Sequence, residues 1–325
     1  MGLLSRYSLT EEEEGTDSHS MHSVLHRWCG HLVEKDKQHE LGCLAARLVA
    51  LSVPLQSDAL FWMKRRRVMS HGLRVSKWIG EGGGSDKQRM IEGPIWPGHL
   101  HNLGYLLADE DRQRAVQMYQ RALQGREKAW GPEHTSTLDT VNNLAALYKD
   151  LGQLDEAEKM YQRALEGKQK AWGLEHTSTL DTVNNLGAFY AILGRLDKAE
   201  KMYQQALEGK EKAWGPEHIS TLNTVNNLGL LYANQNRLDK AEKMLQRALD
   251  GYARAISLEN LMTYLPALIN MWAFASLRES QDCVKDAKHW YSQALLGYEK
   301  TFGLDYDKCR SLRTKLELLV HREEE

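Results

Sequence analysis

Cysteine is scarce in this sequence, and what there is lies scattered. Four cysteines in 325 residues (Cys29, Cys43, Cys283, Cys309) cannot form a disulfide framework and read as reduced thiols. Long apolar runs are also missing. The longest, LAARLVALSVPL at 44–55, is too short to span a membrane, carries Arg47 and meets Pro54. The opening MGLLSRYSLTEEEEG has neither the apolar centre nor the cleavage site of a signal peptide. Arg6 stands where a myristoylation signal prefers serine or threonine. Charge of one sign is not in excess. Lys and Arg number 42 against 44 Asp and Glu, a net charge of -2, which gives nucleic acid no basic face to bind. No G-x-x-x-x-G-K-[ST] loop occurs, so no phosphate cradle is expected. The expectation is a cytoplasmic protein without membrane, nucleic-acid or small-molecule partners and without a cofactor.

What the chain does have is repetition. Trp130, Trp172 and Trp214 stand 42 residues apart, each opening a near-identical block. The first runs AWGPEHTSTLDTVNNLAALYKDLGQLDEAEKMYQRALEGKQK and the next AWGLEHTSTLDTVNNLGAFYAILGRLDKAEKMYQQALEGKEK. A fixed period of this length marks stacked units that each leave an apolar face for a neighbour to bury. Within one unit, Leu138, Val141, Leu144, Leu147 and Tyr148 recur at three and four. Ala157, Tyr161, Ala164, Leu165 and Lys168 do the same further on, giving two antiparallel helices. Gly152 and Gly194 fall in the intervening turn, where a positive φ suits glycine, and Asn236 takes that place next. Ala145, Gly187 and Gly229 mark close helix approach. Ser136 with Asp139 has the spacing of a capping box. The three tryptophans are expected as wedges between units.

Ahead of the repeats, residues 1–20 are expected to be disordered or a partial winged-helix remnant. A small helical junction domain is expected over 21–79, with helices at 20–34, 38–52 and 57–78. Glycines and prolines make 80–97 a linker. The repeat domain takes 98–325, divided at 98–129, 130–171, 172–213, 214–255, a degenerate 256–303 and a capping helix at 304–322. The fold class is all-α, a right-handed superhelical solenoid after a small helical domain.

Groups able to do chemistry are few. His22, His26 and Cys29 fall at i, i+4 and i+7, with His31 and Cys43 near, but packing explains them better than zinc. His134, His176 and His218 repeat with the unit, and a ladder of equal copies is not an active site. No catalytic residue and no metal site is expected, and the protein is read as not an enzyme. The paired asparagines stand out more: Asn142 and Asn143, Asn184 and Asn185, Asn226 and Asn227. An amide offers both donor and acceptor, as an extended peptide requires. Asp139, Asp181 and Asn223 lie beside them, then Ala146, Ala188 and Leu230, then Asp150, Ile192 and Asn234. The competing reading has the asparagines bond between helices and face no ligand.

The order leucine, glycine or alanine, tyrosine, turn glycine, then alanine, tyrosine and alanine–leucine resembles the tetratricopeptide repeat. The usual unit is about 34 residues. The longer unit and its AWG-x-EH linker are similar to kinesin light chains and to fungal NB-ARC-TPR proteins of the nucleotide-binding immune-receptor type. SMHSVLHRWCGHL and MKRRRVMSHGLRV resemble the segments that precede the repeats in those receptors. The resemblance implies a non-catalytic scaffold, the sensing region of a truncated receptor-like protein. It also implies that the first helices line a concave groove, where the second asparagine of each pair grips a protein or peptide segment. Self-association stays open. The alternative is a kinesin-light-chain-like cargo adaptor, which needs an upstream heptad coiled coil that residues 1–97 do not show.

Overall fold

Apolar residues spaced at three and four bury one helix face, and the turn residues decide where each helix must stop. The result in the computed structural model, which describes residues 10–12, 19–21, 35–54, 61–80, 93 and 95–324, is a solenoid of helix pairs. Two helices come first, α1 (Lys35–Leu51) and α2 (Phe61–Gly80). Five pairs follow: α3 (Trp96–Leu107) with α4 (Arg112–Trp130), α5 (Thr135–Asp150) with α6 (Leu154–Trp172), α7 (Thr177–Ile192) with α8 (Leu196–Trp214), α9 (Ile219–Asn234) with α10 (Leu238–Ala255), and, beyond the short α11 (Leu258–Leu261), α12 (Leu265–Ser280) with α13 (Val284–Phe302). Helix α14 (Asp307–Glu324) ends the stack. The only strands among the described residues are β1 (Thr10–Glu12) and β2 (His19–Met21), an antiparallel pair in which Glu11 faces Ser20.

Four of the five turns between paired helices place one residue in the left-handed region. Gly152 (φ 74°) and Gly194 (φ 70°) supply it, then Asn236 (φ 57°) and Asp282 (φ 58°), the two side chains that tolerate it best after glycine. Close approach explains the small residues. A Cβ on Gly187 would lie 2.9 Å from the Tyr203 ring, and one on Gly229 2.8 Å from Leu245. A second glycine position, absent from the sequence reading, does the same from the other helix: a Cβ on Gly167 would meet Leu138 at 2.6 Å. Leu138, Val141, Leu144, Tyr161 and Ala164 are buried, each such leucine contributing about 2 kcal/mol of transfer free energy.

Several sequence expectations need correction. Ser20 and Met21 belong to a strand, so the helix expected at 20–34 does not start there, and 22–34 lie outside the described residues. The helix expected at 57–78 is described as Phe61–Gly80. The linker expected at 80–97 is shorter at both ends, since Gly80 closes α2 while Trp96 and Pro97 open α3. One buried core joins Ala46, Ala50, Val75 and Ile79 to Trp96, Leu100 and Leu103, so it runs across that boundary. Arg65, itself buried, donates to the carbonyl of Leu106 at 2.8 Å and pairs with Asp109. Helices α1 and α2 therefore form the first layer of the stack.

Candidate interaction site

The first helix of each pair packs on its partner helix and on the next unit, leaving one stripe half-exposed. In α5 it comprises Asp139, Asn143, Ala146 and Asp150, in α7 Asp181, Asn185, Ala188 and Ile192, and in α9 Asn223, Asn227, Leu230 and Asn234. Ile192 is 61% exposed there. These positions lie on one exposed or half-exposed face of each first helix, whereas Asn142 and Asn226 are buried.

The asparagines do more than line it. Asn185 donates through its amide to the Asn142 carbonyl oxygen at 3.4 Å, and Asn227 to that of Asn184 at 3.2 Å. One unit earlier Asn143 reaches His101 Nε2, which occupies the Asn142 place, at 3.5 Å. Asn102, in the Asn143 place, donates to the Ala50 carbonyl at 3.1 Å. At the far end Asn270 donates to Asn226 at 3.0 Å. The pairs therefore brace successive units, and Asn142 and Asn226 are buried, which takes them out of direct reach of a partner. Asn143, Asn184, Asn185 and Asn227 stay half-exposed.

Asp139 and Asp181 are engaged as well. Lys168 Nζ lies 2.7 Å from Asp139 Oδ1, and Lys210 Nζ 2.7 Å from Asp181 Oδ1. Both lysines are only 2% exposed. Each also reaches into the next unit, Lys168 to the Ser178 carbonyl at 3.4 Å and Lys210 to that of Ser220 at 3.5 Å. Ser178 Oγ closes the triangle by donating to Asp139 at 3.2 Å. In the following copy the cation and acid are both replaced: Tyr252 donates to Asn223 Oδ1 at 2.7 Å, joined by Tyr264 at 3.1 Å. Sequence reading missed the pairing. Its trace was a lysine at a position flanked by Tyr161, Ala164 and Leu165, where a charge must find a partner.

The linker histidines cap helices. His134 Nδ1 accepts from the Ser136 backbone N–H at 3.2 Å, and His176 and His218 repeat this on Ser178 and Ser220. The capping box expected from Ser136 and Asp139 does not form, because the helix starts two residues earlier with His134 as its cap, which puts Ser136 inside the first turn; Asp139 pairs with Lys168 instead. The tryptophans are not wedges either: Trp130 is 46% exposed, and Trp172 stacks on His176 with ring centres 4.3 Å apart. His22, His26, Cys29 and His31 lie outside the described residues, and Cys43 is buried. Among the described residues, no three His, Cys, Asp or Glu side chains are grouped as metal ligands, and no helix is long and apolar enough to cross a membrane.

Residues 98–170 and 178–254 match the tetratricopeptide repeat family. No curated protein matches the sequence. Solved tetratricopeptide-like structures share the fold. The chain is similar to BtubC (BKLC) from P. vanneervenii, at 20% identity over 78% of this chain and 92% of that one, TM-score 0.53. It is similar to NprR in complex with its cognate peptide NprX, at 14% identity over 92% and 76%, TM-score 0.58. A single-residue variant of nearly identical TPR-like repeats from a Podosopora anserina protein named for kinesin light chain aligns at 22% identity over 64% and 97%, TM-score 0.50.

Proposed function

We propose that the protein is a non-catalytic interaction scaffold that holds a protein or peptide segment along the stripe of its first helices. The observation carrying this reading is the stripe itself, a continuous half-exposed row with Ile192 open to solvent beside amide groups. The partner's contacts are Asn143, Asn185 and Asn227 through the amide atoms that the brace leaves over, with Ala146, Ala188, Leu230 and Ile192 as the apolar floor. Asp139, Asp181 and Asn223 rim it. NprR, a fold neighbour, was solved with a bound peptide, which supports a peptide as the ligand class. A place in a receptor-like assembly rests on the resemblance of residues 20–32 and 63–75. The cargo-adaptor alternative uses the same stripe. Affinity is expected near micromolar, roughly -8 kcal/mol. A photo-crosslinking residue at Ala188 tests this against one at exposed Lys201 on α8. Partner crosslinked from position 188 supports the stripe, and crosslinking from 201 alone moves the surface to the outer helices.

A further inference from the structure

The units of the stack can be compared column by column, and one column breaks its own rule. The position of Asp139 is held by Gly98, Asp139, Asp181, Asn223 and Ile269 in successive units. The position of Lys168, opposite it, is held by Arg126, Lys168, Lys210, Tyr252 and Tyr298. Where the second member is lysine, the first is an acid at 2.7 Å. Where it is Tyr252, the first is the neutral acceptor Asn223. Where Ile269 offers no acceptor, the buried Tyr298 hydroxyl has no partner among the described residues. Only the first unit sets a permanent cation opposite a position that carries no side chain.

Arg126 sits where the lysines sit. It donates through Nη1 to the Ser136 carbonyl, ten residues on, as Lys168 does to Ser178. The same Nη1 reaches Thr140 Oγ1 at 2.7 Å and lies 3.4 Å from His101 Nδ1. All of these hydrogen-bonding partners are neutral; Asp139 of the next unit acts on Arg126 through space but is itself paired with Lys168 at 2.7 Å. Arg126 is 8% exposed, and its Nε is buried without a partner. Across from it, a Cβ built on Gly98 meets no atom within 4 Å apart from its chain neighbours and its own helix backbone, so there is room for a side chain where the next two units carry an acid. Those carboxylates are reachable from solvent, the Asp139 side chain being 45% exposed. Leaving a buried cation without a directly paired carboxylate is costly, and the fork of an arginine suits a carboxylate better than a lysine does.

We infer that the notch between Gly98 and Arg126 is a carboxylate-binding subsite, filled by an acidic group of the bound partner that takes the place Asp139 and Asp181 take in their own units. Arg126 supplies the charge and Ser136 Oγ stands where Ser178 donates to Asp139. The subsite lies at the start of the stripe, and it rests on the proposed function only for the owner of the carboxylate. It is separate from the asparagine contacts.

The chain can be made to supply the group itself. Gly98→Asp should raise the melting midpoint by several degrees relative to Gly98→Asn, which has the same shape without the charge. That gain should vanish when Arg126 is Gln. Both readings hold whether or not a partner exists, so failure here leaves the stripe reading standing. The ligand arm uses three short peptides: Ac-AAAA-OH with a terminal carboxylate, Ac-AADA-NH2 with a side-chain one, and Ac-AANA-NH2 with neither. At least tenfold tighter binding of one or both acidic peptides, lost in Gly98→Asp, supports the subsite and names the source. Equal binding of all three, or no charge-dependent gain from Gly98→Asp over Gly98→Asn, overturns it. If Arg126→Gln does not fold, the peptide comparison decides, because an acid at Gly98, in the first turn of α3, also gains from the helix N-terminus.

Discussion

Replacing Asn143, Asn185 and Asn227 together by alanine should destabilise the stack, and the size can be worked from the contacts. Each change deletes one amide donor and strands its acceptor: His101 Nε2, Asn142 Oδ1 or Asn184 Oδ1. The bonds are long, 3.2 to 3.5 Å, and two acceptors are buried or nearly so, which places each loss near the low end of the usual range, about 1 kcal/mol. The sites lie one unit apart and act through neighbour interfaces, so the losses add to about 3 kcal/mol. With a urea slope of about 2–3 kcal/mol/M, the midpoint should fall by about 1 M. Circular dichroism and tryptophan fluorescence should be followed together, because long arrays can lose cooperativity. Asn185→Asp adds a sharper test. It sets a carboxylate against the Asn142 carbonyl oxygen, two acceptors facing each other, and should be worse than alanine. A triple variant with its midpoint unchanged within about 0.2 M would refute the brace.

Gly187→Leu should cost about 1–3 kcal/mol by driving into the Tyr203 ring, while Gly187→Ala should cost under about 1, since Ala145 already fills the same place one unit back; thermal melts separate them. His134, His176 and His218 changed singly to alanine should each lose about 1 kcal/mol of helix capping, read by urea unfolding. Burial, with the Arg126 charge beside it, holds His101 down to about 3, whereas the unfolded chain takes up that proton near 6.5. Its contribution is therefore complete above about pH 6.5 and is lost toward pH 3 at no more than about 1.4 kcal/mol per unit. His101→Asn, the residue of the sister copies, should flatten stability between pH 6.5 and about 5, and an unchanged slope would dismiss the histidine as its source.

The helices and turns were readable because they depend on local spacing. Leu138, Val141 and Leu144 at three and four define a buried face by themselves, and a left-handed turn residue at Gly152, Gly194 and Asn236 needs no knowledge of neighbours. What failed depended on contacts between elements. Asp139 had the right spacing to cap, but the helix starts earlier with His134 as its cap, and Asp139 pairs with Lys168 on the partner helix. Trp130 has the size of a core residue, yet the linker carries it to the edge, where a histidine ring is its partner. The asparagine pairs left two readings open from sequence, a ligand-facing row and a brace between helices. Their bonds to the preceding unit follow from the stacking geometry, which one unit's sequence does not contain.

The brace also bears on where partner selectivity can reside. The asparagines that hold the units together, Asn142 and Asn143 with their copies, are the same from one central unit to the next, and Lys168 recurs as Lys210. A surface made of identical braces would offer the same few bonds at every step and discriminate little. The central copies differ instead near the ends of their first helices: Ala146, Ala188 and Leu230 on the stripe, and beyond them Asp150, Ile192 and Asn234. Ala146, Ala188 and Leu230 also pack against the core shared by the central units, whereas Asp150, Ile192 and Asn234 are exposed. An acid, a branched hydrocarbon and an amide in register across three units would read three successive segments of a bound chain. Exchanging Asp150 for Ile and Ile192 for Asp should therefore alter which segment binds while leaving the unfolding midpoint in place.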